Sequence, residues 1–210
     1  MTKIIFFDTE TTGLPKDYSV NALYRDKNWP DLVSICWVIY EGRERQRKEV
    51  HVIRPEGFVI PPESVKIHGI SQRQAEQEGK PLKKVLSLFL EDVREANLVI
   101  AHNMEFDRNV LFHSFRWRLG IDPLSFWPTA SEFCSMKEAT DEMRLPSKGK
   151  AGAGAGKGKG GYKAPRLMEL YGDQFGGGFD GAHTADGDVE ALIKIVWARW
   201  DIQDADGKVL

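Results

Sequence analysis

Lys3-Ile4-Ile5-Phe6-Phe7-Asp8-Thr9-Glu10-Thr11-Thr12-Gly13-Leu14-Pro15 decides how the rest of the chain is read. Four apolar residues run directly into two acids, and the chain then turns at Gly13 and Pro15. Residues two apart in a strand point to the same face. Asp8 and Glu10 therefore stand side by side at the end of what reads as a buried central strand. Two adjacent carboxylates resist joint ionisation unless a cation sits between them. A hard divalent metal, which takes oxygen ligands from carboxylates and phosphates, satisfies that requirement. The alternative is a strand end with two solvated acids, and this stretch alone does not separate the two.

A length of 210 residues fits one domain, expected over 1–210, and is ample for a full core. With 41% hydrophobic and 29% charged residues the composition is that of an ordinary globular protein. The net charge of −2 argues against a surface coated with basic residues, though not against a local basic patch. Cys36 and Cys134 are far apart in apolar-rich runs, as expected of reduced buried thiols. No signal peptide precedes the first strand and no apolar run approaches 18 residues, so an intracellular, cytoplasmic protein is expected.

Leu32 to Tyr40 is β-branched and aromatic and predicts a second strand; Val50 to Ile53 predicts a third, paired with it as a hairpin. The charged run Arg43 to Lys48 is expected at the hairpin tip as a solvated turn. A short helix from Ser64 and a helix N-cap at Ser71 follow. Pro81 to Glu95 predicts an amphipathic helix, Leu98 to Ala101 a short buried strand, and Phe106 to Leu119 another helix. Phe133 to Met136 is a candidate fifth strand. Ala164 to Tyr171 predicts a short helix stopped by Gly172, and Asp186 to Trp200 a helix with a stripe of Val189, Leu192, Ile193, Val196, Trp197 and Trp200. The order β-β-β-α-β-α-β-α-α is an α/β fold, a mixed five-stranded sheet flanked by helices. Between Met143 and Met168 lie seven Lys and Arg residues, no acid, and a Gly-Ala repeat. That composition predicts a flexible Gly/Lys-rich insertion at about 147–163, able to track a nucleic-acid backbone or to serve only as a loop.

Three further pieces stand at element ends. Asp107 falls in the first turn of the helix after the fourth strand, where a carboxylate is also favoured by the helix dipole. Glu105, two residues earlier, turns away from Asp107's face. In His183-Thr184-Ala185-Asp186-Gly187-Asp188, five residues of helix rotate by about 140°, so a helical His183 could not share Asp188's face. His183 must lie on the preceding loop if the two are to meet, and Gly176-Gly177-Gly178 and Gly181 make that loop pliable.

Phe-Asp-Thr-Glu-Thr-Thr-Gly at 7–13, His-Asn-x-x-Phe-Asp at 102–107 and His-x-Ala-x-x-Asp at 183–188 together resemble the three motifs of the DnaQ-like DEDDh 3′–5′ exonucleases. The resemblance runs from residue 4 to about 197, and Ile67-His68-Gly69-Ile70-Ser71 matches a smaller motif of that family. His-Thr-Ala-Asp-Gly-Asp-Val looks closest to the three-prime repair exonucleases. The resemblance implies a ribonuclease H-like fold and a site in which Asp8, Glu10, Asp107 and Asp188 hold two Mg²⁺ or Mn²⁺ ions. It implies His183 as the general base, a role open to an imidazole with an ordinary pKa of about 6.5. It also implies that Thr9, Thr11, Thr12, Gly13 and Leu14 hold the terminal nucleotide, Leu14 against the base, with Ile67, His68 and Asn103 near the same 3′ end. A packed leucine, a hydrogen-bonded turn histidine and a capping asparagine are the structural alternatives for Leu14, His68 and Asn103.

The implied reaction is hydrolysis of nucleic acid from its 3′ end, releasing nucleoside 5′-monophosphates. Single-stranded DNA is favoured by the Thr-Ala-Asp-Gly-Asp-Val match, with an RNA-trimming enzyme of the RNase T or oligoribonuclease kind as the neighbouring alternative. A non-catalytic nucleic-acid-binding or polymerase-associated module would have lost an acid or the histidine, and none is missing. A homodimer or a polymerase association are partner candidates between which the sequence does not choose. No membrane partner is expected.

Overall fold

The computed structural model describes residues 2–127, 131–147 and 161–203. Five strands form one sheet: β1 (Lys3–Thr11), β2 (Leu32–Glu41), β3 (Glu44–Val52), β4 (Leu98–Ala101) and β5 (Ser131–Cys134). Their spatial order is β3-β2-β1-β4-β5. The β1–β2 and β2–β3 pairs are antiparallel, whereas β1–β4 and β4–β5 are parallel. The first strand is thus the centre of the sheet, as its apolar run requires.

Both faces of β1 are covered, which explains why its apolar residues are continuous instead of alternating. Ile5 and Phe7 face one core with Trp37, Phe89 and Val85; Ile4 and Phe6 face a second with Val38, Val189, Leu192 and Val196. The helix α3 (Leu82–Arg94) covers the first face through Val85, Leu86, Phe89 and Val93. The helix α7 (Ala185–Arg199) covers the second through the stripe expected of it. Burying each such side chain contributes roughly 1.5–3 kcal/mol, so these two stripes fix how the helices sit on the sheet.

Several elements differ from expectation. Arg43 to Lys48 is not a tip: the turn is confined to Gly42 and Arg43, and β3 begins at Glu44. Charged residues form strand here because β3 is an edge, where long cationic side chains are tolerated and block further pairing. Two short helices, α1 (Pro62–His68) and α2 (Gln72–Glu78), precede α3; Ser71 caps α2 by accepting from the Gln74 N–H. The helix after β4 is α4 (Met104–His113), continued by a π-helical turn over Ser114–Arg118. β5 ends at Cys134, and Ser135 and Met136 open a further helix, α5 (Ser135–Met143). Gly172 does not stop α6 (Leu167–Phe175), which ends at Gly176 in a left-handed conformation. Tilted ring contacts of Tyr171 with Phe175 and Phe179 compensate for the glycine inside that helix.

Most of the expected Gly/Lys-rich insertion, residues 148–160, lies outside the described residues. Its flanks are tied together where the Lys163 N–H donates to the Leu145 carbonyl at 3.0 Å. No described helix is long and apolar enough to cross a membrane.

Candidate active site

Asp8 and Glu10 lie on the α7 side of β1, continuing the row of Ile4 and Phe6. Asp188 lies in the first turns of α7, which packs on that same row. One carboxylate oxygen each of Asp8, Glu10 and Asp188 lies within 4.8 Å of the others. Three carboxylates at this spacing could hold a divalent cation, because all-oxygen donor sets suit hard ions.

The electrostatics point the same way. Burial, then Asp107, Asp188 and Glu10, push Asp8 well above the usual carboxylate range. Burial and the charges of Asp188 and Asp107 push Glu10 up to about 8. Burial raises Asp188 to about 6, opposed by the His183 N–H that it accepts. A cluster of acids so reluctant to ionise together stores repulsion that a bound cation would relieve.

Asp107 is 3% exposed and stands beside this trio. Its Oδ1 accepts from Thr9 twice, from Oγ1 at 2.6 Å and from N–H at 3.1 Å. Thr9 is on the opposite face of β1 from Asp8 and Glu10, so one strand serves acids on both sides. Burial lifts Asp107 to about 7, with the Thr9 bonds pulling the other way. Glu105 is exposed, as its position relative to Asp107 demands.

His183 is outside the helix, as the rotation argument requires, with φ at 65° and its N–H donating to Asp188 Oδ1 at 3.2 Å. Thr184 caps α7: its hydroxyl accepts from the Gly187 N–H at 3.1 Å and donates to the Gly181 carbonyl at 2.7 Å. Gly187 cannot be another residue without movement, since a Cβ there would stand 2.1 Å from the Gly181 carbonyl oxygen. This close approach holds the His183 loop against the start of α7. A glycine inside a helix's first turn was the sequence signal for it.

The remaining candidates lie at the end of β1 and the turn after it, at the end of α1 and just before α4. Thr11 donates to the Gly13 carbonyl at 2.7 Å, and Thr12 Oγ1 accepts from the Asp31 N–H at 3.0 Å. These hydroxyls shape the turn; Gly13 takes φ of 145° there. Leu14 and Ile67 are 68% and 59% exposed. Neither is a packed core residue. His68, the last residue of α1, is 4% exposed; its Nδ1 accepts from the Ile70 N–H at 3.1 Å, while its buried Nε2 lacks a hydrogen-bond partner. Asn103 precedes α4 with φ of 71° and makes no side-chain cap, so the capping alternative does not hold for it.

His102 has a different role from its neighbour. Its Nε2 meets the Pro165 carbonyl at 3.1 Å and its Nδ1 meets Ser135 Oγ at 2.9 Å. A carbonyl only accepts, so Nε2 carries the proton and the ring is neutral. Burial holds its pKa down at about 4. It forms a tie between the end of β4, α5 and the segment before α6.

The complex of E. coli exonuclease I with a dT13 oligonucleotide superposes with a TM-score of 0.69 at 18% identity, over 93% of this chain and 40% of that one. The zinc-bound E. coli exonuclease I–ssDNA complex gives 0.68 at 20% identity, over 94% and 40%. Exonuclease I with the inhibitor BCBP gives 0.69 at 17%, over 94% and 41%. At these identities the likeness establishes the fold, the ribonuclease H-like exonuclease fold expected from the motifs. The chain spans about 40% of the length of these structures. No curated protein sequence matches. The exonuclease family profile, RNase T in name, matches residues 5–196, a span that takes in every acid of the site and His183, and by this match the chain belongs to the exonuclease family of the DnaQ-like superfamily.

Proposed function

We propose that this chain is a metal-dependent 3′–5′ exonuclease acting on single-stranded DNA and releasing nucleoside 5′-monophosphates. The observation that carries the reading is the convergence of Asp8, Glu10 and Asp188 within 4.8 Å at the end of the central strand, beside the His183 loop. Single-stranded DNA is favoured because the structural neighbours include complexes with dT13 and with ssDNA.

Asp8, Glu10 and Asp188, with Asp107 alongside, would hold two divalent cations, Mg²⁺ or Mn²⁺. Such ions neutralise charge on the phosphate and orient the attacking and leaving oxygens. Asp107 is kept in place by Thr9 and does not need to reorganise. His183 takes the proton from the water whose oxygen attacks the terminal phosphorus. The P–O3′ bond to the penultimate nucleotide breaks, its oxygen regains a proton, and the terminal nucleotide leaves as the 5′-monophosphate.

His183 is the histidine suited to this task. His51, His68 and His113 are buried, and both nitrogens of His102 are engaged. His183 alone among the five is solvent-exposed and tied to a site acid. Leu14 and Ile67 supply apolar surface for the terminal base, since exposed aliphatic groups gain by covering a base face. His68 and Asn103 flank the same 3′ end.

The test is a nuclease assay on 5′-labelled single- and double-stranded DNA and matched RNA, with Mg²⁺ or with EDTA. Shortening from the 3′ end of single-stranded DNA, abolished by EDTA and by Asp8→Ala or His183→Ala with folding intact, is expected. Undiminished cleavage by those variants would sink the reading, and preferential trimming of RNA would move the substrate to the ribose series.

A further inference from the structure

We propose that Lys48 and Arg45, on the edge strand β3, are positioning residues that set the rotation of α7 and thereby the placement of Asp188 in the metal centre. The inference rests on the reading of Asp8, Glu10 and Asp188 as cation ligands. Lys48 Nζ reaches Asp186 Oδ1 at 2.5 Å and Glu190 Oε1 at 3.1 Å. Arg45 grips Glu190 with both terminal nitrogens, Nη1 to Oε2 at 3.1 Å and Nη2 to Oε1 at 2.6 Å. Both acids belong to the first turns of α7, on either side of Asp188 in sequence.

The backbone shows that this contact is built. Residues 45 and 48 differ by an odd number, so in a regular strand they would point to opposite faces. The β2–β3 register shifts between Ile39 and Tyr40: Tyr40 opposes Arg45 and Ile39 opposes Arg47, leaving Gln46 unopposed. This one-residue bulge turns Arg45 to the face of Lys48, whose partner Val38 lies with Tyr40 in the core under α7. Re-aiming a side chain is what such bulges do. Arg47, on the other face, pairs instead with Asp92 of α3 at 2.6 Å.

The helix geometry gives the contact its consequence. At about 100° per residue, Asp186 and Glu190 fall on one flank of the buried stripe of Val189, Leu192, Ile193 and Val196, and Asp188 falls on the other. Holding one flank to β3 therefore fixes the other against β1. A rotation of about 10° would move a carboxylate roughly 5–6 Å from the helix axis by about 1 Å. That is about a fifth of the 4.8 Å within which the three ligand oxygens lie.

The sign of the effect separates positioning from charge. Removing two cations near a cation site would, by Coulomb's law alone, tighten metal binding. Loss of the positioning contact weakens it. The experiment is calorimetric titration of the metal-free protein with Mn²⁺, for wild type, the double variant Lys48→Met with Arg45→Met, and Lys48→Arg. The double variant is expected to bind roughly tenfold more weakly, at the low end for residues that support metal-ligating carboxylates, with Lys48→Arg close to wild type. Should the double variant fail to fold, Lys48→Met alone carries the same comparison. Unchanged or tighter Mn²⁺ binding overturns the proposal, and so does an equal loss in Lys48→Arg. Absence of Mn²⁺ binding by wild type would instead refute the metal site, a different failure.

Discussion

Gly187→Ala sets two physical effects against each other. In a helix interior alanine is favoured over glycine by roughly 1 kcal/mol, so propensity alone predicts a stabler protein. The structure predicts the reverse. The new Cβ would meet the Gly181 carbonyl oxygen at 2.1 Å, the carbonyl carbon at 2.5 Å and Cα at 2.9 Å. These are backbone atoms and cannot swing aside. Reaching ordinary contact at 3.4 Å requires the loop to open by about 1.3 Å. That displacement breaks the Thr184 links to the Gly181 carbonyl, at 2.7 and 3.1 Å, each worth roughly 1 kcal/mol. Strain of overpacking adds about 1–3 kcal/mol. The net loss is about 2–4 kcal/mol, which lowers the Tm of a chain this long by roughly 4–16 °C. The loop that moves carries His183, and a misplacement of about 1 Å in a reacting group costs on the order of 10²-fold in rate. Calorimetry in EDTA and a single-turnover assay with Mg²⁺ read the two effects separately. A variant with unchanged or higher Tm and full activity would refute the steric reasoning.

Glu10→Gln should raise Tm in EDTA at pH 8 while abolishing turnover. Glu10 titrates at about 8 in the metal-free fold against an ordinary value of 4.5, so the folded state holds the extra proton and wild-type stability falls as pH rises between them. The gain should shrink toward pH 5, and the Tm increase on adding Mg²⁺ should grow with pH in wild type; a destabilised Glu10→Gln at pH 8 would contradict this. Thr9→Val removes the 2.6 Å bond that draws Asp107 downward, so in EDTA the Asp107 carboxyl, followed by NMR, should titrate at higher pH than in wild type, and an unmoved titration would refute the role of that bond. His102→Ala leaves the Ser135 hydroxyl and the Pro165 carbonyl without their buried partner, so melting should fall by about 5–10 °C, from a loss of roughly 2–4 kcal/mol. A fall of less than 2 °C would show that the tie carries little.

The elements legible in the sequence are those whose signal is local. β1, α3 and α7 each bury a continuous run or a helical stripe, and each was read within a residue or two of its bounds. The displacement of His183 from α7 followed from helix geometry alone. Glu44 to Lys48 reads as a turn although it is strand, because an edge strand wears charge where a central strand wears apolar residues. α5 was missed because Ser-Met-Lys-Glu-Ala-Thr-Asp-Glu-Met buries little, with Ser135, Ala139 and Thr140 its buried residues. Gly172 by itself reads as a helix breaker, whereas the ring contacts of Tyr171 with Phe175 and Phe179 outweigh it.

The identity and order of the acids and the histidine, and the family they mark, were determined by the sequence, because motif spacing and strand or helix periodicity are written within a few neighbouring residues. Which carboxylates meet was decided by the tertiary structure. Packing of α7 on the Ile4 and Phe6 face of β1 brings Asp188 to Asp8 and Glu10, while the opposite face offers Thr9 to Asp107. The bulge that aims Arg45 and Lys48 at α7 is a matter of pairing between two strands. Neither strand's residues carry it alone, since register depends on which partner each residue faces.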